Sequence, residues 1–392
     1  MNRYEDGRVR LGIIGLGNMG SGHFDNIMSG KSPSVKLTAV CDIDPQKIDK
    51  VRGVDGIACF SDHISLLESG LVDAVLIATP HILHPSIAIN SFEHGVHVLT
   101  EKPAGVYTRQ VREMIDAADR SGLKFGIMFN QRTNPIYKRA HDIIKSGQLG
   151  KPKRLVWIIT NWYRTQAYYN SGSWRATWRG EGGGVLLNQA PHNLDLWQWI
   201  FGMPDSLYAV CDLGKYHDIA VEDDVTITAK YESGARATFI TTTGEAPGTN
   251  RLEISGDLGK IVMEDGRLKW WRLHTPERAF CFEAKTGFAM PELDYSEFTA
   301  DAPDGHATVL EAFARSIIDG SEPIADGREG LYSLKISNAA YLSSRLGKEV
   351  SLDLDEPLFE KHLEELRTLD REKGDKFHED VGNIKERWKV RW

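Results

Sequence analysis

The first 130 residues alternate between short apolar runs and segments with a helical pattern of apolar positions. Apolar runs that lack polar alternation are typical of strands buried on both faces of a parallel sheet. Because a helical segment separates each run from the next, the pattern predicts a doubly wound parallel sheet. The predicted strands are 9–14, 36–41, 73–79, 96–100 and 124–129.

After about residue 131 the pattern changes. A strand is predicted at 152–161 and one long, largely apolar helix at 185–201. Strand-like stretches with short turns come next, and helical patterns return at 305–319 and 327–346. Sequential strands with short connections predict a large, mostly antiparallel open sheet, so this part is α+β. Its further predicted strands are 207–213, 222–231, 235–243, 249–256 and 258–264.

These patterns divide the chain into three parts. Residues 1–131 are predicted to form a Rossmann-type α/β domain, 132–355 an α+β domain, and 356–392 a charged C-terminal tail. The tail is expected to be helical to about residue 373 and irregular after it. The α+β domain has a single long helix to cover one face of its sheet. Since the other face also needs a cover, we expect a homo-oligomer, either a dimer or a tetramer.

Composition and charge narrow the class of partners. Of the 392 residues, 41% are hydrophobic and 26% charged, which is ordinary for a globular protein with two cores. The formal net charge of −8 argues against nucleic acid or an anionic membrane as a partner, since both attract basic surfaces. The N-terminal residues lack the apolar core of a secretory signal, and four dispersed cysteines form no C-x-x-C pair. We therefore expect a cytoplasmic protein without a metal site.

A glycine motif, G-L-G-N-M-G at residues 15–20, lies between the first predicted strand and a predicted helix. In this context Gly15 permits a tight turn, Gly17 lets the backbone approach a pyrophosphate, and Gly20 lets the helix pack against the strand. The pyrophosphate would lie at the positive end of the helix dipole. The motif therefore predicts a dinucleotide-binding site.

An acidic residue, Asp42, ends the second predicted strand. A carboxylate at this place accepts a hydrogen bond from the adenosine ribose 2′-hydroxyl and repels a 2′-phosphate. The next residues are Ile43 and Asp44, and no Arg or Lys follows at once. NAD is therefore predicted in preference to NADP. For Asp44 the sequence also fits a simple helix cap, because Asp44-Pro45 is a typical N-cap and N1 pair.

Lys102 belongs to an E-K-P triplet that follows a predicted parallel strand. The carboxyl edge of a parallel sheet is where ligands bind in such folds. A lysine there can donate a hydrogen bond to a substrate hydroxyl and stabilise negative charge on its oxygen. A surface lysine beside a turn-forming proline fits the triplet equally well.

Three polar residues, Asn188, His192 and Asp195, follow the glycine run 182–184 at helical spacing. They would share one stripe of the predicted apolar helix. His192 is suited to remove a proton from an alcohol near neutral pH, with Asp195 fixing its tautomer. A core histidine bonded to Asp195 is the structural alternative.

The segments 161–164 and 173–179 are dense in Trp, Tyr and Arg. Aromatic faces and guanidinium groups suit a polyhydroxylated ligand, so Tyr163, Trp174 and Arg175 are predicted to bind substrate. The alternative is that Trp174 and Trp178 anchor the loop to the core.

Taken together, these motifs resemble the Gfo/Idh/MocA family of sugar and cyclitol oxidoreductases. The resemblance extends to about residue 355 and adds the A-T-P triplet at 78–80, followed by His84. It implies that Lys102 is the catalytic lysine and that His192 is the general base. Asn188 occupies a position where many members carry Asp, so it is expected to orient the substrate hydroxyl and not to relay a proton. His81 stands where Asn is common.

Motifs and resemblance together define the expected sites. The predicted NAD-binding residues are Gly15, Gly17, Asn18, Met19, Asp42, Ile43, Thr79, Pro80, His84, Glu101, Lys102 and Asn130. The predicted substrate-binding residues are Lys102, Tyr163, Trp174, Arg175, Asn188 and His192.

The expected function is NAD-dependent oxidation of a secondary hydroxyl of a sugar, glycoside or cyclitol. One alternative is an enzyme that retains NAD and uses transient oxidation to cleave a glycosidic bond. A second is a sugar-sensing regulator without chemistry. The joint presence of Lys102 and His192 argues against the regulator.

Overall fold

The computed structural model describes residues 7–370, which form two compact units. Neither unit is continuous in sequence. The first consists of residues 7–133, 179–182 and 303–334. The second consists of residues 134–178, 183–302 and 335–370.

The strands and helices are numbered in chain order. The strands are β1 Val9–Ile14, β2 Val35–Cys41, β3 Ala58–Phe60, β4 Ala74–Ile77, β5 His97–Thr100, β6 Phe125–Ile127, β7 Pro152–Ile159, β8 Ser206–Leu213, β9 Glu222–Lys230, β10 Arg236–Thr242, β11 Asn250–Gly256, β12 Gly259–Glu264, β13 Arg267–Leu273, β14 Leu293–Thr299 and β15 Val350–Ser351. The α-helices are α1 Asn18–Met28, α2 Pro45–Asp49, α3 His63–Glu68, α4 His84–Glu93, α5 Thr108–Ser121, α6 Pro135–Lys145, α7 Gln166–Asn170, α8 Pro191–Phe201, α9 Glu277–Glu283, α10 Gly305–Asp319, α11 Gly330–Leu346 and α12 Glu356–Arg367. Short 3₁₀ helices lie at His81–Leu83, Asn130–Thr133 and Gly327–Glu329.

The first unit contains the predicted doubly wound parallel sheet. Its order is β3-β2-β1-β4-β5-β6, and every neighbouring pair is parallel. All four residues of β4 are buried, as an unbroken apolar run at the centre of the sheet requires. The predicted Rossmann architecture is therefore confirmed, with β3 as an edge strand too short to stand out in the sequence.

The second unit contains a nine-stranded sheet in the order β14-β13-β12-β11-β7-β10-β9-β8-β15. Only the β7–β10 pair is parallel, which confirms the prediction of a mostly antiparallel sheet. Helix α8 covers one face: Trp197 stacks on Phe239 of β10 at 5.8 Å, and Phe239 meets Trp157 of β7 edge to face at 6.0 Å. These three aromatic side chains form the centre of the core of this unit.

Two details differ from the sequence-based expectation. The helix predicted at 185–201 begins only at Pro191, because proline has no N–H for the preceding turn and disfavours helical backbone at Ala190. Strands β13 and β14 were not predicted, since their alternating charged residues obscure the apolar pattern. The helix predicted in the first part of the charged tail is found as α12, and residues 371–392 lie outside the described residues. Among residues 7–370, no helix is long and apolar enough to cross a membrane.

Two glycines of α1 provide a matched test of packing in the first unit. A Cβ on Gly20 would overlap the carbonyl oxygen of Gly15, whereas a Cβ on Gly22 would meet no atom within 4 Å. Gly20→Ala should therefore destabilise the unit by about 1–3 kcal/mol through overpacking. Gly22→Ala should be neutral or stabilising by roughly 0.5–1 kcal/mol, because alanine favours the helix. Thermal denaturation of both variants checks this, and equal melting temperatures would contradict the packing role of Gly20.

Candidate functional site

The turn between β1 and α1 leaves room for a ligand. Gly15 has φ +96°, and a Cβ there would lie 2.6 Å from the carbonyl oxygen of Ala78. At Gly17, in contrast, a Cβ would meet no atom of residues 7–370 within 4 Å, and no side chain in that range caps the first turn of α1. The free N–H groups of this turn, which begins with Asn18 and Met19, suit an anion. The turn therefore fits the pyrophosphate of a dinucleotide.

Asp42 connects the end of β2 to this turn. Its Oδ2 accepts a 2.7 Å hydrogen bond from Leu16 N, and its Oδ1 accepts one of 2.9 Å from Asp44 N. Lys47 Nζ lies 3.4 Å from Oδ2. Because these bonds hold the carboxylate at the carboxyl edge of the sheet, it is placed where a ribose hydroxyl is expected.

Two neighbours of Asp42 have clear roles. Asp44 caps α2 by accepting from Gln46 N, with Pro45 in the first turn, so the helix-cap interpretation of this pair is confirmed. Ile43 is 88% exposed and offers an apolar surface next to the carboxylate. Lys47 was missed by the sequence analysis. The N-cap at Asp44 could have predicted this contact. A helix that begins there brings residue 47 back toward Asp42.

His84 joins the loops that follow β4 and β5. The side chain is fully buried, with Nδ1 2.8 Å from Pro103 O and Nε2 2.8 Å from Thr79 O. Both ring nitrogens are therefore engaged by protein carbonyl groups. His84 therefore fixes the backbone of Thr79 and Pro103 relative to each other.

Glu101, the residue that precedes Lys102, is buried. Its Oε1 lies 2.7 Å from Nε2 of buried His23, and its Oε2 accepts a 3.2 Å bond from Lys102 N. Burial raises the pKa of Glu101, but the hydrogen bond and charge of His23 outweigh burial and hold that pKa at about 2. The carboxylate is therefore ionised at neutral pH and fixes the backbone of the lysine, which is itself half-buried.

A second histidine, the half-buried His306, lies beside the pair of Glu101 and His23. The His306 ring lies 5.6 Å from the His23 ring, and Asn130 Nδ2 is 3.3 Å from His306 Nδ1. Burial lowers the pKa of His306 to about 4, so it is neutral near pH 7. Neither histidine was singled out from the sequence, because each is far along the chain from Glu101.

The glycine run before α8 is held by a buried carboxylate. Glu222 accepts hydrogen bonds from Gly184 N at 2.8 Å, Leu186 N at 2.9 Å and the Tyr341 hydroxyl at 2.8 Å. A Cβ at Gly183 would overlap the Tyr341 hydroxyl, and one at Gly184 would overlap the carbonyl oxygen of Glu222. Glycine is thus needed at both positions, because Tyr341 and Glu222 lie too close for a side chain. Glu222 was not predicted from the sequence as a site residue.

Asn188 and His192 lie on either side of the start of α8. Asn188 belongs to the preceding turn, where its N donates to Gly184 O at 2.9 Å, so the predicted single helical stripe is wrong. Within 181–190, Asn188 alone is not buried. His192 is the second residue of α8 and is 3% exposed. Asp195 Oδ1 accepts a 3.0 Å bond from the side chain of Gln198.

The aromatic loop separates into anchoring and accessible residues. Trp178 is buried and donates from Nε1 to Ala220 O at 2.7 Å, so it anchors the loop to the core. Trp174 is half-buried, and the Arg175 guanidinium lies 4.9 Å from its ring. Tyr163 is exposed. Arg175 Nη1 donates a 2.6 Å bond to the hydroxyl of Tyr168, a residue the sequence analysis did not select.

Glu222 should make stability depend on pH. Burial raises its pKa from an ordinary value of 4.5 to about 7, although hydrogen bonds, among them those from Leu186, Tyr341 and Gly184, oppose the rise. The folded state therefore binds the proton more tightly than the unfolded chain does. Its contribution to stability is full below pH 4.5 and is lost as the pH rises through about 7. Glu222→Gln removes this titration. From pH 5 to 8 the melting temperature of the wild type should fall relative to that of the variant, and parallel curves would contradict the assignment.

Comparison with known proteins agrees with this geometry. The model for the oxidoreductase family with an NAD-binding Rossmann fold matches residues 9–129, and the GFO/IDH/MocA C-terminal domain model matches 137–262. The uncharacterized oxidoreductase YrbE of Bacillus subtilis (strain 168) is 25% identical over 90% of this chain and 98% of its own length. A myo-inositol 2-dehydrogenase of Thermotoga maritima is 24% identical over 88% of this chain and 99% of its own.

A solved structure is similar over the same extent. The WlbA dehydrogenase of Bordetella pertussis, in complex with NADH and UDP-GlcNAcA, superimposes with a TM-score of 0.74 at 27% identity. The match covers 89% of this chain and 100% of that one. The chain therefore belongs to the Gfo/Idh/MocA family of NAD(P)-dependent oxidoreductases.

Proposed function

We propose that this protein oxidises a secondary hydroxyl of a sugar, glycoside or cyclitol, with NAD as hydride acceptor. The observation that carries the proposal is the fixing of Lys102 N by the buried carboxylate of Glu101, in a unit whose glycine turn fits a dinucleotide. The myo-inositol 2-dehydrogenase and the WlbA complex with NADH support an alcohol of this class.

Several residues would hold NAD. The glycine turn with Asn18 and Met19 would bind the pyrophosphate, and Asp42 the ribose, with Ile43 against the adenine. The loops of Thr79, Pro80, Glu101 and Asn130 would surround the nicotinamide half. When bound, the nicotinamide supplies the acceptor for the hydride that leaves the carbinol carbon.

The chain's own residues would manage the hydroxyl. Lys102 would donate a hydrogen bond to its oxygen and stabilise the negative charge that develops there. His192 would accept the hydroxyl proton as general base, so that a carbonyl forms as the C–H hydride departs. Asn188, the accessible residue of its turn, would orient the hydroxyl.

Asp42 should make the enzyme prefer NAD over NADP. Its carboxylate would repel a 2′-phosphate, and Lys47, the base bonded to it among residues 7–370, is paired with that same carboxylate. We expect kcat/KM for NAD to exceed that for NADP by about tenfold or more. Asp42→Asn should lower the ratio of kcat/KM for NAD to that for NADP. The substitution removes the charge that repels the 2′-phosphate and releases Lys47. Asp44→Asn, which keeps the helix cap, is the control. Equal or better use of NADP by the wild type would contradict the assignment.

Lys102 and His192 should act in one reaction. His192→Ala should lower kcat by roughly 10²–10⁴-fold, because it removes the general base. NADH should still bind, since the glycine turn and Asp42 are unchanged. Lys102→Ala should also lower kcat, and the double variant should lose less than the product of the two effects. NADH absorbance and fluorescence measure turnover and binding. Near-normal turnover of His192→Ala at all pH values would favour the core-histidine alternative.

A homo-oligomer should form through the outer face of the second unit's sheet. The side chains of Tyr208 and Val210 on β8 are 44% and 43% exposed, although both lie within a strand. Such apolar exposure is typical of a surface that packs on another protein. Light scattering at micromolar concentration should give a dimer or tetramer, and Val210→Glu should weaken it. A strict monomer would exclude this arrangement.

A further inference from the structure

Two guanidinium groups contact one tyrosine in the second unit. Tyr168 lies on α7, and its ring centroid is 5.0 Å from Cζ of Arg164 and 4.4 Å from Cζ of Arg175. Contacts of a cation with an aromatic ring are favourable, but they leave the positive charge in place. Two like charges against one ring also repel each other. The arrangement therefore favours a nearby negative charge.

Arg164 has no counter-ion in the described chain. The residue is 8% exposed, and its Nη1 donates to the carbonyl oxygens of Trp162 and Tyr163 at 2.9 Å each. Its buried Nε has no acceptor among residues 7–370, and no carboxylate in that range lies within 4.0 Å of it. A buried guanidinium without an anion is unfavourable, because the two carbonyl oxygens and the ring contact replace only part of the hydration that burial removes. A bound oxyanion would supply the missing acceptor.

The backbone of Arg164 is held firmly. Its N donates to Thr243 O at 3.0 Å, and its O lies 2.9 Å from Nε2 of His217. The other ring nitrogen of His217 lies 2.8 Å from the buried carboxylate of Asp223. Because the guanidinium starts from a fixed backbone, little conformational entropy would be lost when an anion binds.

This charged cluster adjoins the residue proposed to orient the reacting hydroxyl. The Tyr168 hydroxyl lies 3.5 Å from Asn188 Oδ1 and 3.2 Å from Gln189 Nε2. Tyr168, Arg175 and Asn188 are each half-exposed, so a ligand can reach them. One side chain thus separates the positive charges from Asn188. An anion bound here would belong to the sugar that is oxidised.

We propose that the substrate is a sugar that carries an oxyanion, a carboxylate or a phosphate, which Arg164 and Arg175 bind beside Tyr168. The proposal rests on the proposed function and names its substrate class. Guanidinium groups bind both kinds of oxyanion through charge-assisted N–H···O bonds. A neutral sugar or cyclitol would leave Arg164 without an anion.

The test uses sugars matched in ring stereochemistry. D-glucose, D-glucuronate and D-glucose 6-phosphate form one set, and the corresponding D-galactose compounds form a second. Binding is measured as the rise in melting temperature of the NADH-loaded protein, and turnover as NADH formation from NAD. The carboxylate and phosphate members show which oxyanion is preferred.

Anionic members should raise the melting temperature most and should have the highest kcat/KM. Arg164→Gln should lower the anionic-to-neutral ratio of kcat/KM by roughly 10- to 100-fold, mainly through KM, because a charge-assisted hydrogen bond is lost. Arg164→Lys should lower this ratio less than Arg164→Gln does, because lysine keeps the positive charge. Arg175→Gln should also lower the ratio. The matched control is Arg236→Gln, since that exposed side chain donates to the carbonyl groups of Gly234 and Ala235 on its own hairpin.

The outcomes separate this proposal from the proposed function. If neutral sugars are oxidised as well as anionic ones, or if Arg164→Gln leaves the ratio unchanged, the oxyanion site is wrong while the oxidoreductase function stands. If no sugar is oxidised but anionic sugars raise the melting temperature and Arg164→Gln abolishes the rise, the site stands and the function is wrong. If the anionic sugars neither bind nor react, the oxyanion site is excluded.

Discussion

An irregular loop keeps one conformation inside a protein only when its buried N–H and C=O groups have partners. The candidate catalytic residues of this chain lie on, or directly after, such loops. His84 and Glu101 satisfy the loop backbone around Lys102, and Glu222 satisfies the turn that precedes His192. The positions of the proposed catalytic groups therefore depend on buried side chains that are themselves bonded to backbone.

The two buried carboxylates, Glu101 and Glu222, both hold loop backbone, but they differ in charge. Glu101 has a histidine partner, and its pKa of about 2 keeps it negative next to Lys102. Glu222 is surrounded by neutral donors, and burial raises its pKa to about 7. One loop is thus held by a permanent charge and the other by a group that titrates near neutrality. A change of pH that ionises Glu222 can therefore weaken the support of the turn before His192.

The features predicted from sequence are those encoded by neighbouring residues. The glycine turn at 15–20 and the apolar run of β4 each specify local structure, and both are found in the structure. The supporting residues could not be predicted, because their partners are distant in sequence. Glu222 bonds a glycine 38 residues earlier, and His23 meets a carboxylate 78 residues later. The start of α8 was a local signal that was overlooked, since Pro191 marks it.

The central claim is that the chain moves a hydride from a sugar carbon to NAD. It is tested most directly with a substrate deuterated at the carbon that bears the oxidised hydroxyl. The account predicts NADH that carries one deuterium at nicotinamide C4, observed by NMR, in an amount equal to the ketone formed. Ketone without reduced cofactor, or NADH without deuterium from that carbon, would contradict it.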